Sequence, residues 1–392
     1  MLCGSNDKLV IPSLEGQRVL HISRSHKGWG KKFSIFNFQF SMFKLNSVIK
    51  TGICSFGMSG KLFHAPFIQN HPGFELTGIV ERHNDDSKKK YPQSKLYRSI
   101  DELIADDSIQ LIVVNTPTHL HYENAKAALA AGKDLVVEKP FTVTVKQAEE
   151  IAEIAKTKNL FLSIYQNRRY DGDYHAIKNV IEKNLLGELR SVEVRYDRYR
   201  PVGVGKAHKE GDLPGAGIIY DLSPHLVDQA LQLFGWPKAI GADVWKMRDD
   251  VKANDYFDML WYYPKMRVRL EATCIAREPL PSYILHGMKG SFIQQRSDLQ
   301  ETQLNAGAVP SLKSWCPPPA KPDGLLHTEI DGEVVRKEVT STPGNYMLYY
   351  DDVYKALTKQ APNPVPAEDG IKTIKIIEAA LKSSAEGKVI SL

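Results

Sequence analysis

Three short stretches carry the residues whose types and spacing could do chemistry. In Ser55-Phe56-Gly57-Met58-Ser59-Gly60 the glycines let the backbone turn tightly and approach a phosphate, which the N–H groups opening the next helix would then meet. Glu81 follows 21 residues after Gly60, where a carboxylate can accept from ribose hydroxyls. The loop is imperfect, because Ser55 stands where a first glycine belongs, and a bare Gly-x-x-Gly is more often an ordinary turn. Its setting between a strand and a helix makes it a dinucleotide site formed by Phe56 to Gly60 and Glu81. Glu81 favours NAD by repelling the 2′-phosphate of NADP, whereas Arg82 beside it could pair with that phosphate or stack on adenine. Both cofactors stay open, and the alternative for Glu81 and Arg82 is a solvated strand end.

The second stretch is Glu138-Lys139-Pro140, which ends the apolar strand that starts at Asp134. Open parallel sheets bind ligands at the carboxyl ends of their strands, so Lys139 is placed for chemistry. The third is Gly215-Ala-Gly-Ile-Ile-Tyr-Asp221-Leu-Ser-Pro-His225, opening an apolar helix, with Asp221 and His225 four apart. Pro224 belongs in a first helical turn, which leaves Asp221 ahead of the regular helix. Taken alone, His225 reads as a cap or a packed histidine and Lys139 as a surface charge.

The elements that must position these residues show two grammars. From Val48 to about Gln166, short apolar strands alternate with amphipathic segments, which implies parallel βαβ units in a doubly wound sheet. Beyond it the strands lengthen and alternate in polarity, as in Leu-Arg-Ser-Val-Glu-Val-Arg-Tyr-Asp from Leu189, which predicts an antiparallel sheet with one solvated face. A proline-rich loop spans Trp315 to Gly324, and two amphipathic helices, Tyr346 to Lys359 and Glu368 to Ala385, close the chain. The expected organisation is an α/β chain. A dinucleotide-binding domain covers 47–166, and an α+β substrate and oligomerisation domain with a large open, mostly antiparallel sheet covers 167–392.

Composition agrees with a globular protein of two domains: 392 residues, 42% hydrophobic and 25% charged. The net charge of +5 comes wholly from residues 1–46, with seven basic and two acidic side chains, so the rest is balanced and gives no case for nucleic-acid binding. No apolar run approaches the roughly 18 residues of a membrane helix. Four scattered cysteines without CxxC spacing suggest neither disulfides nor zinc and fit a reducing cytoplasm. Residues 1–46 read as an appended extension, disordered or not native, with Met42 as an alternative start. Their poverty in acids also fits a transit peptide.

The whole from residue 47 onward resembles the Gfo/Idh/MocA family of glucose-fructose oxidoreductase and inositol dehydrogenase. The likeness rests on SFGMSGKLFHAPFI, NTPTHLHYENAKAALAAGKDLVVEKPF, QNRRYDGDY, GAGIIYDLSPHLVDQAL and AEDGIKTIKIIEAAL. It implies a Rossmann domain, an α+β domain whose sheet commonly forms the interface of a homodimer or homotetramer, and NAD(P)-linked oxidation or reduction of sugars and polyols. Ser55 departs from the family's usual glycine, and the bond matching Lys139-Pro140 is typically cis in relatives. By the same likeness Lys139, Asp221 and His225 form the reactive set. His225 exchanges the hydroxyl proton, Lys139 holds the substrate oxygen, and Asp221 positions a hydroxyl or the two cations. Asn115, Thr116, Pro117, His121, Glu138, Lys139, Tyr165 and Asn167 border the cofactor, and Gln166 lies near the nicotinamide. His119 and His121 lack a third ligand nearby, so no metal is expected. Two other readings use the same architecture: a catalytically silent NAD(P)-sensing regulator, which the retained reactive set argues against, and glycoside cleavage with retained cofactor.

Overall fold

A computed structural model describes residues 48–392. The expectations for residues 1–46 lie outside that range. The chain builds two sheets. The first has six strands, β1 (Ile49–Ile53), β2 (Phe74–Val80), β3 (Lys95–Tyr97), β4 (Leu111–Val114), β5 (Asp134–Glu138) and β6 (Leu162–Tyr165), in the order β3-β2-β1-β4-β5-β6. Every neighbouring pair is parallel. Helices cover both faces, so β4 is buried along its whole length, as its unbroken apolar run requires. Strand order reverses between β1 and β4, and in such sheets ligands bind in the crevice beyond the carboxyl ends at that point.

The second sheet has nine strands. They are β7 (Leu189–Asp197), β8 (Ala239–Trp245), β9 (Tyr256–Tyr262), β10 (Arg267–Thr273), β11 (Tyr283–Gly287), β12 (Gly290–Gln294), β13 (Gly324–Ile330), β14 (Glu333–Val339) and β15 (Ile390–Ser391). Their order is β14-β13-β12-β11-β7-β10-β9-β8-β15, and all pairs are antiparallel except β7 with β10. On β9, Phe257, Met259 and Trp261 are buried while the intervening residues are half-exposed, the alternation of a sheet with one packed face. The other face carries charge pairs across strands, including the two-pronged Arg195–Glu271 contact (2.6 and 2.8 Å) and Arg269–Asp258 (2.9 and 2.7 Å).

Two segments depart from the sequence expectation. Residues 324–339 form the hairpin β13–β14, where no strand was anticipated. Its turn residues Asp331 and Gly332 both have positive φ, the geometry that an Asp-Gly pair supplies. The stretch from Tyr283 to Gln294, whose residue pattern reads as one strand, is also a hairpin, β11–β12.

The closing helices tie the two sheets together. Met347–Leu357 packs on the first sheet's helix Ala65–Asn70, where Tyr350 stacks on Phe67 at 6.0 Å. Between the helices, Ile164 of β6 donates to the carbonyl of Val365 (3.0 Å). The last helix, Ala367–Glu386, accepts from Val145 N–H through Glu378 (2.8 Å) and from β8 through Ser383 and Ser384 (2.9 Å each). Arg169, just past β6, completes the junction. It makes a two-pronged contact with Asp228 (2.6 and 2.8 Å) and reaches Asp369 of the last helix (2.9 Å).

Candidate active site

The phosphate loop leaves β1 and enters a helix that begins with one wide turn, Gly60–His64, before regular helix at Ala65–Asn70. Pro66 is the local reason: it has no N–H and its ring crowds the carbonyl four residues back, so Ala65 N–H bonds Gly60 O five residues back. Gly60 is required by close approach, since a Cβ there would overlap the Ser55 carbonyl oxygen. Ser55 fits without strain. Its φ is not positive, and its Oγ accepts from Gly57 N–H (3.2 Å), so the departure from glycine costs the loop nothing visible. Asn115, after β4, crosses the crevice and donates to Ser55 O (2.8 Å), fastening the two switch-point loops together.

A cleft of about 320 Å³ opens there. Of the residues expected to bind cofactor, Gly57, Met58, Ser59, Asn115, Thr116, Pro117, His121, Glu138, Lys139, Tyr165 and Asn167 line it. So do Asp221 and His225, from the second half of the chain. Four expected residues do not line it. Phe56 is buried edge-on against Tyr91 (6.0 Å), and Gly60 lies beneath the loop. Glu81 is buried and accepts from Ser87 N–H (2.9 Å), while Arg82 is exposed and, among the described residues, pairs with no carboxylate. Both stand at the end of β2, outside the cleft proper.

Two lining residues are occupied internally. The His121 ring lies between the carbonyl oxygens of Thr116 (2.7 Å from Nε2) and Pro140 (2.9 Å from Nδ1); burial lowers its pKa, and the neutral ring donates to one of the two, linking the β4 loop to the Lys139-Pro140 turn. That peptide bond is cis. Glu138 binds His64 through one oxygen (3.0 Å) and accepts from Lys139 N–H through the other (3.0 Å), and His64 in turn meets the Tyr350 hydroxyl (2.6 Å). Burial pushes the Glu138 carboxyl up, but the His64 hydrogen bond and nearby cations outweigh it and hold the group below its ordinary range. Glu138 therefore braces Lys139 from behind. Among the described residues no group of three or more metal-ligating side chains occurs.

The reactive set meets around Asp221. A short helical turn, Ile218–Asp221, ends there and the regular helix Ser223–Phe234 starts with Pro224 in its first turn. Asp221 and His225 thus lie on either side of a bend at Leu222 and do not share one helix face. Gly217 (φ 92°) makes the sharp entry to the turn, and a Cβ there would strike the Asn254 side chain. Lys139 Nζ donates to Asp221 O (2.7 Å) and lies 3.5 Å from its carboxylate, which leaves two of its three ammonium protons for the cleft.

Sequence reasoning missed that Asp221 also pairs with Lys209 (2.9 Å) and Arg198 (3.4 Å), so one carboxylate faces three cations rather than two. Burial raises the Asp221 pKa, yet Lys139, Lys209 and Arg198 together hold it well below the carboxylate range. His225 moves the other way: burial, then the Lys139 and Arg168 charges, push its pKa well below the usual value, so its imidazole is neutral. Its Nδ1 is buried without a partner, as is the Oδ1 of Asn115. The missed cations sit just past β7 and in the short helix Ala207–Glu210, in no motif, and the density of Arg and Lys from 195 to 209 is the only signal for them.

A close-approach glycine, a cleft at the switch point and two unsatisfied polar atoms on its walls fit a dinucleotide. The model for the oxidoreductase family's NAD-binding Rossmann fold matches residues 49–166, and that for the family's C-terminal alpha/beta domain matches residues 178–392. The chain is 36% identical over 345 residues to scyllo-inositol 2-dehydrogenase (NADP(+)) IolW of Bacillus subtilis, covering 88% of this chain and 96% of that protein. It is 37% identical over 345 residues to the uncharacterized oxidoreductase YdgJ of Escherichia coli, covering 88% and 99%. A solved structure from Bacteroides fragilis superimposes with a TM-score of 0.80 at 43% identity, over 88% of this chain and 100% of that one. With both halves of the family matched in sequence and the cleft formed at their meeting point, the chain belongs to the Gfo/Idh/MocA oxidoreductases and takes NAD or NADP as its cofactor.

Proposed function

We propose that the chain is an NAD(P)-dependent dehydrogenase that interconverts a CH–OH and a C=O group of a sugar or cyclic polyol. The observation that carries this reading is the convergence of Lys139, Asp221 and His225 on the same cleft as the phosphate loop. The similarity to a scyllo-inositol dehydrogenase supports the polyol class.

The nicotinamide, when bound, supplies the hydride chemistry. The protein's part is proton handling and orientation. Neutral His225 takes the hydroxyl proton at a ring nitrogen during oxidation and returns it during reduction. Lys139, steered by Asp221 O, offers Nζ protons to the substrate oxygen and stabilises the alkoxide charge that develops there. Asp221, held as a carboxylate by its three cations, fixes Lys139 in place.

The test is a spectrophotometric panel of inositols and aldoses with NAD or NADP, read at the reduced-nicotinamide band. Release of reduced cofactor supports the reading, and product formed without it would replace oxidation by glycoside cleavage. Replacing Glu81 by Ala in the same assay is expected to improve NADP affinity relative to NAD by about tenfold, the size of one removed charge repulsion. An unchanged ratio would mean that Glu81 has no part in reading the ribose.

A further inference from the structure

The cleft's charges do not balance. Three of its cations, Lys139, Lys209 and Arg198, share the single carboxylate of Asp221. Lys206 also lines the cleft, is exposed, and among the described residues pairs with no carboxylate. The other acidic residues of the lining, Glu138 and Glu301, offset only part of this surplus: five Lys and Arg side chains (Lys139, Arg168, Arg198, Lys206, Lys209) meet three carboxylates. Glu138 is committed to His64, and Glu301 lies against Arg168, which also holds Asp171 (3.4 and 3.2 Å). His208, beside Lys206 and Lys209, has its pKa lowered by burial and by those two charges, so it adds no positive charge of its own.

Position gives the surplus a meaning. Arg198, Lys206 and Lys209 come from the segment after β7 and the short helix Ala207–Glu210, so the half of the chain that builds the second sheet supplies them and the phosphate-loop half does not. The segment leading from them folds back onto the nucleotide half, where a Cβ on Gly215 would press on Thr118 (2.8 Å). A concave surface with surplus charge of one sign concentrates ions of the other, and Arg and Lys suit carboxylate and phosphate oxygens.

We infer that the substrate is anionic: a sugar or polyol bearing a carboxylate or phosphate, seated against Arg198, Lys206 and Lys209 with its reacting carbon at Lys139 and His225. This rests on the dehydrogenase reading and narrows its substrate class. It also distinguishes this site from one shaped for uncharged polyols, in which surplus cations would have nothing to meet.

The experiment uses the full chain saturated with NADPH or NADH, so that the cofactor's own phosphates are already bound. Calorimetric titration then compares aldonates, uronates and sugar phosphates with their neutral aldoses and with inositols. At least one anionic ligand is expected to bind about tenfold or more tighter than its neutral counterpart, as one added charge contact implies. Raising salt should erode the difference. Lys206→Ala should weaken the anion and Lys206→Glu should weaken it further, with neutral ligands and dinucleotide affinity unaffected, since Lys206 holds no internal partner. Carboxylate and phosphate arms show which anion is read. Neutral ligands binding as well as every anion, anion affinity indifferent to Lys206→Glu, or a loss confined to dinucleotide affinity would each overturn the inference. Oxidation of neutral polyols with anions excluded would overturn it while leaving the dehydrogenase reading intact. Anions that bind through Lys206 yet are never oxidised would sustain it and remove that reading.

Discussion

His225→Ala is expected to cut turnover by about 100-fold or more while dinucleotide affinity changes little, because in the proposed mechanism the imidazole handles the substrate proton and has no part in holding the dinucleotide phosphates. Lys139→Ala should lose a similar factor of about 10²–10³, the usual worth of one donor aimed at a developing oxyanion. The pH profile separates these roles from mere packing. In the oxidation direction the base must be neutral, and burial with the Lys139 and Arg168 charges depresses the His225 pKa. The acid limb of kcat/KM should therefore fall below the ordinary histidine value of about 6.5. Removing the Lys139 cation favours the protonated imidazole, so in Lys139→Ala that limb should move upward. Turnover in His225→Ala within about threefold of wild type, or an acid limb that stays put in Lys139→Ala, would dismiss the proton-transfer assignment.

The second large effect concerns stability. Arg169 holds Asp228 with two hydrogen bonds and Asp369 with a third, and the Asp228 side chain is 3% exposed. Deleting one partner of a buried ion pair strands the others, which costs about 3–5 kcal/mol. Arg169→Ala should lower the urea midpoint by a corresponding amount, and Arg169→Lys should recover only part of it because an ammonium cannot reproduce the planar two-pronged contact. Unfolding free energies within about 0.5 kcal/mol of wild type would show that the junction draws its strength from apolar packing alone.

Much of this molecule is written in residue patterns. The first sheet was legible because buried parallel strands must be apolar on both faces, and runs such as Leu111 to Val114 leave few alternatives. Asp221 ahead of the regular helix followed from Pro224. The β13–β14 hairpin escaped because β14 is solvent-facing on most of its length and offers little apolar alternation, although Asp331-Gly332 was a usable turn signal. Arg198, Lys206 and Lys209 were invisible for a different reason. Arg198 and Lys209 converge on Asp221 from 23 and 12 residues away along the chain, Lys206 only joins them in lining the cleft, and no local spacing announces either. Glu138, expected beside the cofactor, does line the cleft, but its partnership with His64, 74 residues away, had no local signal either.

The last helix also has a bearing on how the protein is made. Its Glu378 seals the start of a helix of the first sheet, its Ser383 and Ser384 seal β8, and the strand-like partner of Ile164 lies just before it. On the ribosome, the nucleotide half is translated early yet waits with an uncapped edge until residues 365–384 emerge. A stop codon ahead of residue 365 would consequently be felt in both halves at once, and splitting the gene after β6 would yield a fragment with a raw flank in place of an autonomous module.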